Sequence, residues 1–180
     1  MIVISVFGSA MPQEGDVDYM SARLMGKLLA ESGFAVQTGG YSGVMEAASR
    51  GANEAGGHVI GVTCEQIEIY RPLKANDWVI EEVKFRTLRE RLLQLVENSD
   101  GVIVMPGGIG TLTELSLVWN FLQVGEISYR PMVAIGDLWE NVINVFTDSP
   151  YVNPKHVKLV QLASNPEDAI EKLKAQFKES

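Results

Sequence analysis

Val102-Ile103-Val104-Met105-Pro106-Gly107-Gly108-Ile109-Gly110-Thr111-Leu112-Thr113-Glu114 decides how the rest of the chain is read. An apolar run is followed by a proline, a glycine-rich turn and then an apolar-rich segment from Leu115 to Val124. The order is strand, glycine loop, helix. Glycine lets a backbone approach a ligand closely, and the first turn of a helix presents N–H groups that have no partner inside the helix. Such an end favours an anion. The stretch therefore predicts a phosphate cradle at Pro106, Gly107, Gly108, Gly110 and Thr111, with the Glu114 carboxylate about one helical turn further on. The competing reading is a plain strand-to-helix turn, but the glycines together with Thr111 exceed what a turn requires.

Strands and helices alternate on both sides of this loop. Ile2 to Phe7 reads as a strand ending at Gly8-Ser9, and Asp18 to Ser32 as a helix with Met20, Leu24 and Leu28 on one stripe, stopped by Gly33. Phe34 to Gln37 is a second strand, followed by the glycine loop Thr38-Gly39-Gly40-Tyr41-Ser42-Gly43 and a small-residue helix carrying Met45, Ala48, Ala52 and Ala55. His58 to Val62 is the third strand. Cys64 to Asp77 reads mostly as loop, Trp78 to Val83 as a strand, and Phe85 to Asn98 as an amphipathic helix with Leu88, Leu92, Leu95 and Val96 on one face. Met132 to Ile135 is a strand, and Leu138 to Phe146 a helix. The last helix starts near Pro166, capped by Asn165, with Ile170, Leu173 and Phe177 inward. Strands apolar at nearly every position belong in a parallel sheet covered on both faces. The expected fold is α/β: a single-domain, doubly wound, Rossmann-like sheet spanning residues 1–180, with ligands beyond the carboxyl ends of the strands.

Bulk properties narrow the function classes. The chain has 180 residues, is 46% hydrophobic and carries a net charge of −8, which argues against sequence-independent nucleic-acid binding. Cys64 is the single cysteine, so internal disulfides are excluded and a reducing, cytoplasmic location is expected. His58 and His156 are far apart, and nothing has zinc-ligand spacing, so no metal is expected. No apolar run is long enough to span a membrane.

Two side chains are candidates for chemistry. Glu114 closes a Thr111-x-x-Glu114 pattern that also fits a capping box, so it is either a helix cap, a catalytic carboxylate held in the first turn, or both. Arg91 borders the apolar face of its helix, where its planar fork suits phosphate; the alternative is a snorkelling surface arginine. The loop is not a P-loop, since no Gly-Lys-Ser/Thr follows, and Gly8-Ser9-Ala10-Met11-Pro12 lacks the dinucleotide spacing. Cys64 reads as a small buried residue, Trp119, Phe121 and Leu122 as core or interface, and His156 as surface. Tyr19 and Tyr41 are further candidates to reach the ligand.

Pro106-Gly107-Gly108-x-Gly110-Thr111-x-x-Glu114 resembles the signature of the LONELY GUY family, many of whose members carry the label "lysine decarboxylase". Val6-Phe7-Gly8-Ser9, Gly39-Gly40-Tyr41-Ser42-Gly43-Val44-Met45 and Ala55-Gly56-Gly57-His58-Val59-Ile60-Gly61-Val62 resemble its other conserved stretches, and Arg91 falls where the family has its arginine. Gly43-Val44-Met45-Glu46-Ala47 resembles the related molybdenum-cofactor carrier proteins, and Thr113 and Glu46 depart from plant-like members of the family.

The resemblance implies a phosphoribohydrolase that cuts the N-glycosidic bond of a nucleoside 5′-monophosphate, of the AMP or cytokinin type, to free base and ribose 5-phosphate. It implies Glu114 and Arg91 as the catalytic pair, and Gly8, Ser9, Gly39, Gly40, Gly43, Met45 and the Pro106–Thr111 loop as substrate contacts. It also implies a homodimer with sites near the subunit interface, and a small-molecule substrate rather than nucleic acid or membrane. No cofactor is required by this chemistry. A decarboxylase would need a pyridoxal phosphate lysine, and no lysine lies in or beside these glycine loops. The second reading is a binder or carrier of a phosphorylated ligand, such as molybdenum cofactor or a nucleotide.

Overall fold

Strands that are apolar at every position must be covered on both faces, and helices between successive strands supply that cover. The computed structural model describes residues 1–178. β1 (Val3–Phe7) leads to α1 (Val17–Glu31), β2 (Ala35–Thr38) to α2 (Val44–Glu54), β3 (Val59–Cys64) to α3 (Glu65–Tyr70), and β4 (Glu81–Phe85) to α4 (Leu88–Glu97). β5 (Gly101–Val104) leads to α5 (Ile109–Val124), β6 (Met132–Ile135) to α6 (Asp137–Thr147) and α7 (Pro154–Val157), and β7 (Gln161–Ala163) to α8 (Pro166–Lys178).

The strands form one parallel sheet in the order β4-β3-β2-β1-β5-β6-β7. This is the doubly wound α/β fold. Winding reverses between β1 and β5, where Ile4 pairs with Gly101 and Phe7 with Val104. The two-residue period of a strand splits the apolar runs between two cores. Ile4, Val6, Ile103, Met105 and Val133 face α1, α2 and α8. Phe7, Val102, Val104, Met132 and Ala134 face the layer of α4, α5 and α6. No described helix is long and apolar enough to cross a membrane.

Several expectations shift. α1 buries Tyr19, Ala22, Met25, Gly26 and Leu29, whereas Met20 is exposed and Leu24 and Leu28 are half-buried. The reason is α2: a Cβ on Gly26 would lie 2.0 Å from the Ala48 carbonyl oxygen, so the helices dock through the small residue rather than the larger ones. α4 begins at Leu88, which is exposed; Arg91, Leu95 and Val96 form the buried line, with Leu92 only half-buried. Trp78 lies in a turn held by Asn76, whose side-chain oxygen accepts from Trp78 N at 3.2 Å. The strand is instead Glu81–Phe85, an edge strand too polar to show as an apolar run. Cys64 ends β3, and α3 occupies the start of the stretch expected to be loop. β7 and α7 are too short for periodicity to reveal. The last helix follows expectation: Asn165 Oδ1 accepts from Asp168 N at 2.8 Å, and Leu173 is fully buried.

Candidate active site

A parallel sheet brings the carboxyl ends of all its strands to one edge, so the loops after β1, β2 and β5 meet beside the winding reversal. Ser9 ties them together. Its N–H donates to the Pro106 carbonyl at 3.1 Å, and its carbonyl accepts from Val44 N at 2.8 Å. Two glycines are dictated by this knot. A Cβ on Gly8 would stand 2.3 Å from Val44 Cγ1, and Gly43 has φ +71° with its would-be Cβ 2.4 Å from the Ser9 carbonyl oxygen. A cleft of about 380 Å³ is lined by Ser9, Pro106 and Gly107 together with Asp16 and Asp18.

The α5 N-terminus differs from the cap expected there. Gly108 is the N-cap, and no side chain caps the helix. The Thr111–Glu114 capping box is therefore absent: the helix starts one turn too early for Thr111 to sit outside it. Both residues lie within the helix and face inward, 3% and 9% exposed. Leu112 N is the first to bond back, to the Gly108 carbonyl at 2.9 Å, so the N–H groups of Ile109, Gly110 and Thr111 have no intrahelical acceptor. Unlike the neighbouring α1 and α2, α5 carries no acid in its first turn. Gly107 is dictated by packing, since a Cβ there would meet Thr111 Oγ1 at 2.2 Å. Gly108 and Gly110 face open space, so nothing in the described protein requires them to be glycine. The capping box belongs to α4, where Thr87 Oγ1 accepts from Glu90 N and Glu90 Oε2 accepts from Thr87 N.

Arg91 is no surface residue. It is 5% exposed and reaches across the sheet edge, donating from Nε to the Val62 carbonyl at 2.7 Å and from Nη2 to the Gly39 carbonyl at 3.0 Å. Met45 Sδ lies 3.9 Å from Nη2, and the Tyr41 ring centroid lies 5.5 Å from Cζ. Gly39 makes room for this side chain. No partner of Nη1 is found among the described residues.

Glu114 lies near this guanidinium. Burial pushes its carboxyl up to about 7, and the Arg91 charge pulls the other way. Its carboxylate has no hydrogen-bond partner among the described residues. A carboxyl of that kind changes protonation at neutral pH and suits general acid–base work. The structure thus brings Arg91, Gly39 and Met45 together, with Glu114 within electrostatic reach of Arg91. It joins the Gly8-Ser9 turn to the Pro106 loop, while Gly40 (φ +79°) serves the turn before α2. Glu46 accepts from Tyr19 Oη at 3.0 Å.

Sequence reasoning did not find Asn76, whose side-chain Nδ2 donates to the Gly40 and Tyr41 carbonyls at 3.1 and 3.0 Å. Its only signal was a polar residue in an unreadable stretch. Cys64 is buried, as read from the sequence. Among the described residues, no group of three or more His, Cys, Asp or Glu is arranged to hold a metal ion.

A family model described as "Possible lysine decarboxylase" matches residues 45–173. A cytokinin riboside 5′-monophosphate phosphoribohydrolase of Mycobacterium tuberculosis is 28% identical over 173 residues, covering 93% of this chain and 90% of that protein. One from Arabidopsis thaliana is 30% identical over 148 residues, covering 78% of this chain and 62% of that protein. Among solved structures, the molybdenum cofactor binding protein of Rippkaea orientalis superposes with a TM-score of 0.78 at 29% identity, covering 98% of this chain and 97% of its own.

Proposed function

We propose that this chain, which belongs to the LONELY GUY family whose model is described as "Possible lysine decarboxylase", hydrolyses the N-glycosidic bond of a nucleoside 5′-monophosphate. The products are the free base and ribose 5-phosphate. The observation that carries the reading is Glu114: a buried carboxyl, without a hydrogen-bond partner among the described residues and pushed up to about 7, beside a buried arginine at the open end of α5.

In this reading the N–H groups of Ile109, Gly110 and Thr111 hold the 5′-phosphate, with Gly108 and Gly110 leaving room for its oxygens. Gly8, Ser9, Gly39, Gly40, Gly43, Met45, Pro106 and Gly107 shape the cleft around the sugar and base. The C1′–N bond breaks with its electron pair going to the base, and the transition state has oxocarbenium character. Ionised Glu114 stabilises that charge and takes a proton from the water that adds to C1′, while the base takes up a proton as it leaves. Arg91 Nη1 donates to the substrate, and its charge keeps a useful fraction of Glu114 ionised at neutral pH. The "lysine decarboxylase" description finds no lysine at this site.

The working unit is a homodimer. α5 carries an exposed polar stripe at Thr113, Ser116, Asn120 and Gln123, and beside it Ile109, Leu112 and Val124 are apolar side chains exposed on the single chain. A second copy would bury them.

Incubation with AMP and other nucleoside monophosphates, followed by chromatography, tests the reading. Release of free base that Glu114→Ala and Arg91→Ala abolish supports it. A second reading is supported by the similarity to the molybdenum cofactor binding protein along nearly the whole chain. On that reading the same cradle holds a phosphorylated pterin without turnover. Binding of a pterin phosphate with no base release from any monophosphate favours it.

A further inference from the structure

We propose that Tyr41 is a positioning residue for Arg91: its ring, held by the turn it sits in, keeps the guanidinium in the orientation that leaves Nη1 for the ligand. The proposal rests on the reading above, in which Arg91 faces the substrate.

Arginine is long and freely rotating, so a fixed donor direction has to be enforced by its surroundings. Two acceptors hold one edge of the guanidinium, the Val62 and Gly39 carbonyls. Two hydrogen bonds in one plane leave the group free to tilt out of it. The Tyr41 ring faces the guanidinium, with Cζ 5.5 Å from its centroid, and attracts the cation through its negative face.

Tyr41 is itself immobilised. It is 3% exposed, and its hydroxyl donates to the Cys64 carbonyl at 3.2 Å while accepting from Cys64 N at 2.9 Å. Asn76 fixes the backbone of the same turn. Its side chain donates to the Gly40 and Tyr41 carbonyls, and its own N–H donates to the Gly40 carbonyl at 2.8 Å. One short turn therefore supplies an acceptor for Arg91 at Gly39 and a π-face for it at Tyr41. The hydroxyl and the ring divide the labour: the hydroxyl satisfies β3, and the ring holds Arg91.

That division sets the test. Tyr41→Phe keeps the ring and loses the hydroxyl, so it lowers the melting temperature but changes kcat/KM for AMP by no more than about threefold. Tyr41→Leu loses both, and kcat falls about tenfold to thirtyfold, with KM changed less, as expected for a desolvated cation–π contact. In an Arg91→Ala background, where turnover is gone, AMP affinity read by calorimetry is unchanged by adding Tyr41→Leu, because a positioning residue acts only through its target. A further loss of affinity in that background, or an equal loss of kcat in Tyr41→Phe, overturns the proposal.

A second measurement needs no ligand. The Arg91 Nε–H resonance is shielded by the ring and exchanges slowly in the unsubstituted protein and in Tyr41→Phe, and loses both properties in Tyr41→Leu. Equal spectra for Tyr41→Leu and the unsubstituted protein overturn the proposal. Absence of base release from the unsubstituted protein overturns the hydrolase reading alone, and the resonance comparison then decides the fate of Tyr41.

Discussion

Arg91 occupies the place where Gly39 would carry a side chain: a Cβ on Gly39 would lie 1.9 Å from Arg91 Nη2 and 2.5 Å from Met45 Sδ. The glycine thus admits a charged group from another helix to the edge of the sheet. Arg91 in turn donates to the Val62 carbonyl within β3 and to the Gly39 carbonyl just after β2. The glycine loop after β2 is a socket for an arginine.

Gly39→Ala follows directly. Its methyl group expels the guanidinium without touching the β-ladder, so the fold survives while Arg91 is displaced. Displacement of a positioned group by about an ångström lowers turnover on the order of a hundredfold. Steady-state kinetics with AMP, beside a circular dichroism spectrum matching the unsubstituted protein, checks this. Undiminished activity would show that the Arg91 position is not needed.

Glu114 predicts opposite effects of pH on activity and on stability. The ionised carboxyl is the active form, so kcat/KM rises with pH through about 7, and that limb vanishes in Glu114→Gln. For stability, the folded carboxyl stays protonated to higher pH than the unfolded one. Between the ordinary carboxyl value of 4.5 and about 7 the folded state binds more protons, so this group's contribution falls as pH rises and levels off above 7. The loss is on the order of 3 kcal/mol. Glu114→Gln is therefore more stable than the unsubstituted protein at pH 8 and nearly equal to it at pH 5, as read by denaturant titration at both pH values.

Gly110→Ala separates folding from binding. A Cβ there meets nothing within 4 Å, and alanine is the better helix former. Stability rises by about 0.5–1 kcal/mol. The new methyl group enters the space assigned to phosphate, and affinity for AMP falls. Calorimetry of unfolding and of AMP binding on the same sample reads both; unchanged affinity places the phosphate elsewhere.

Leu112→Glu and Val124→Glu put charges at exposed apolar positions of α5. If two copies meet there, each substitution raises the dimer dissociation constant by at least about tenfold, since an unpaired charge is desolvated at the contact. Sedimentation equilibrium over a range of concentrations measures it. A monomeric unsubstituted protein would refute the dimer.

The architecture was legible because it is written at short range. Each of β1, β5 and β6 is a mostly apolar run bounded by glycine or proline, and the β5–α5 loop shows its glycines in one continuous stretch. The polar edge strand β4 and the small β7 lay below that threshold, since an edge strand needs little apolar surface. The Thr-x-x-Glu pattern occurs at both Thr87 and Thr111, and only at Thr87 does the helix begin where the box can close.

Alternation of apolar runs with helical periods determined the parallel sheet, and the glycines after β1, β2 and β5 determined which edge of it is open. Tertiary structure decided the rest of the site. Arg91 meets the Gly39 carbonyl across 52 positions of chain. Glu114 owes its raised pKa to burial by the fold, and the charge that opposes the shift comes from Arg91 on another helix, not from its sequence neighbours. Periodicity reports which side of a helix is apolar, whereas the burial of a charge depends on what the fold packs against it, and that information is spread over the whole chain.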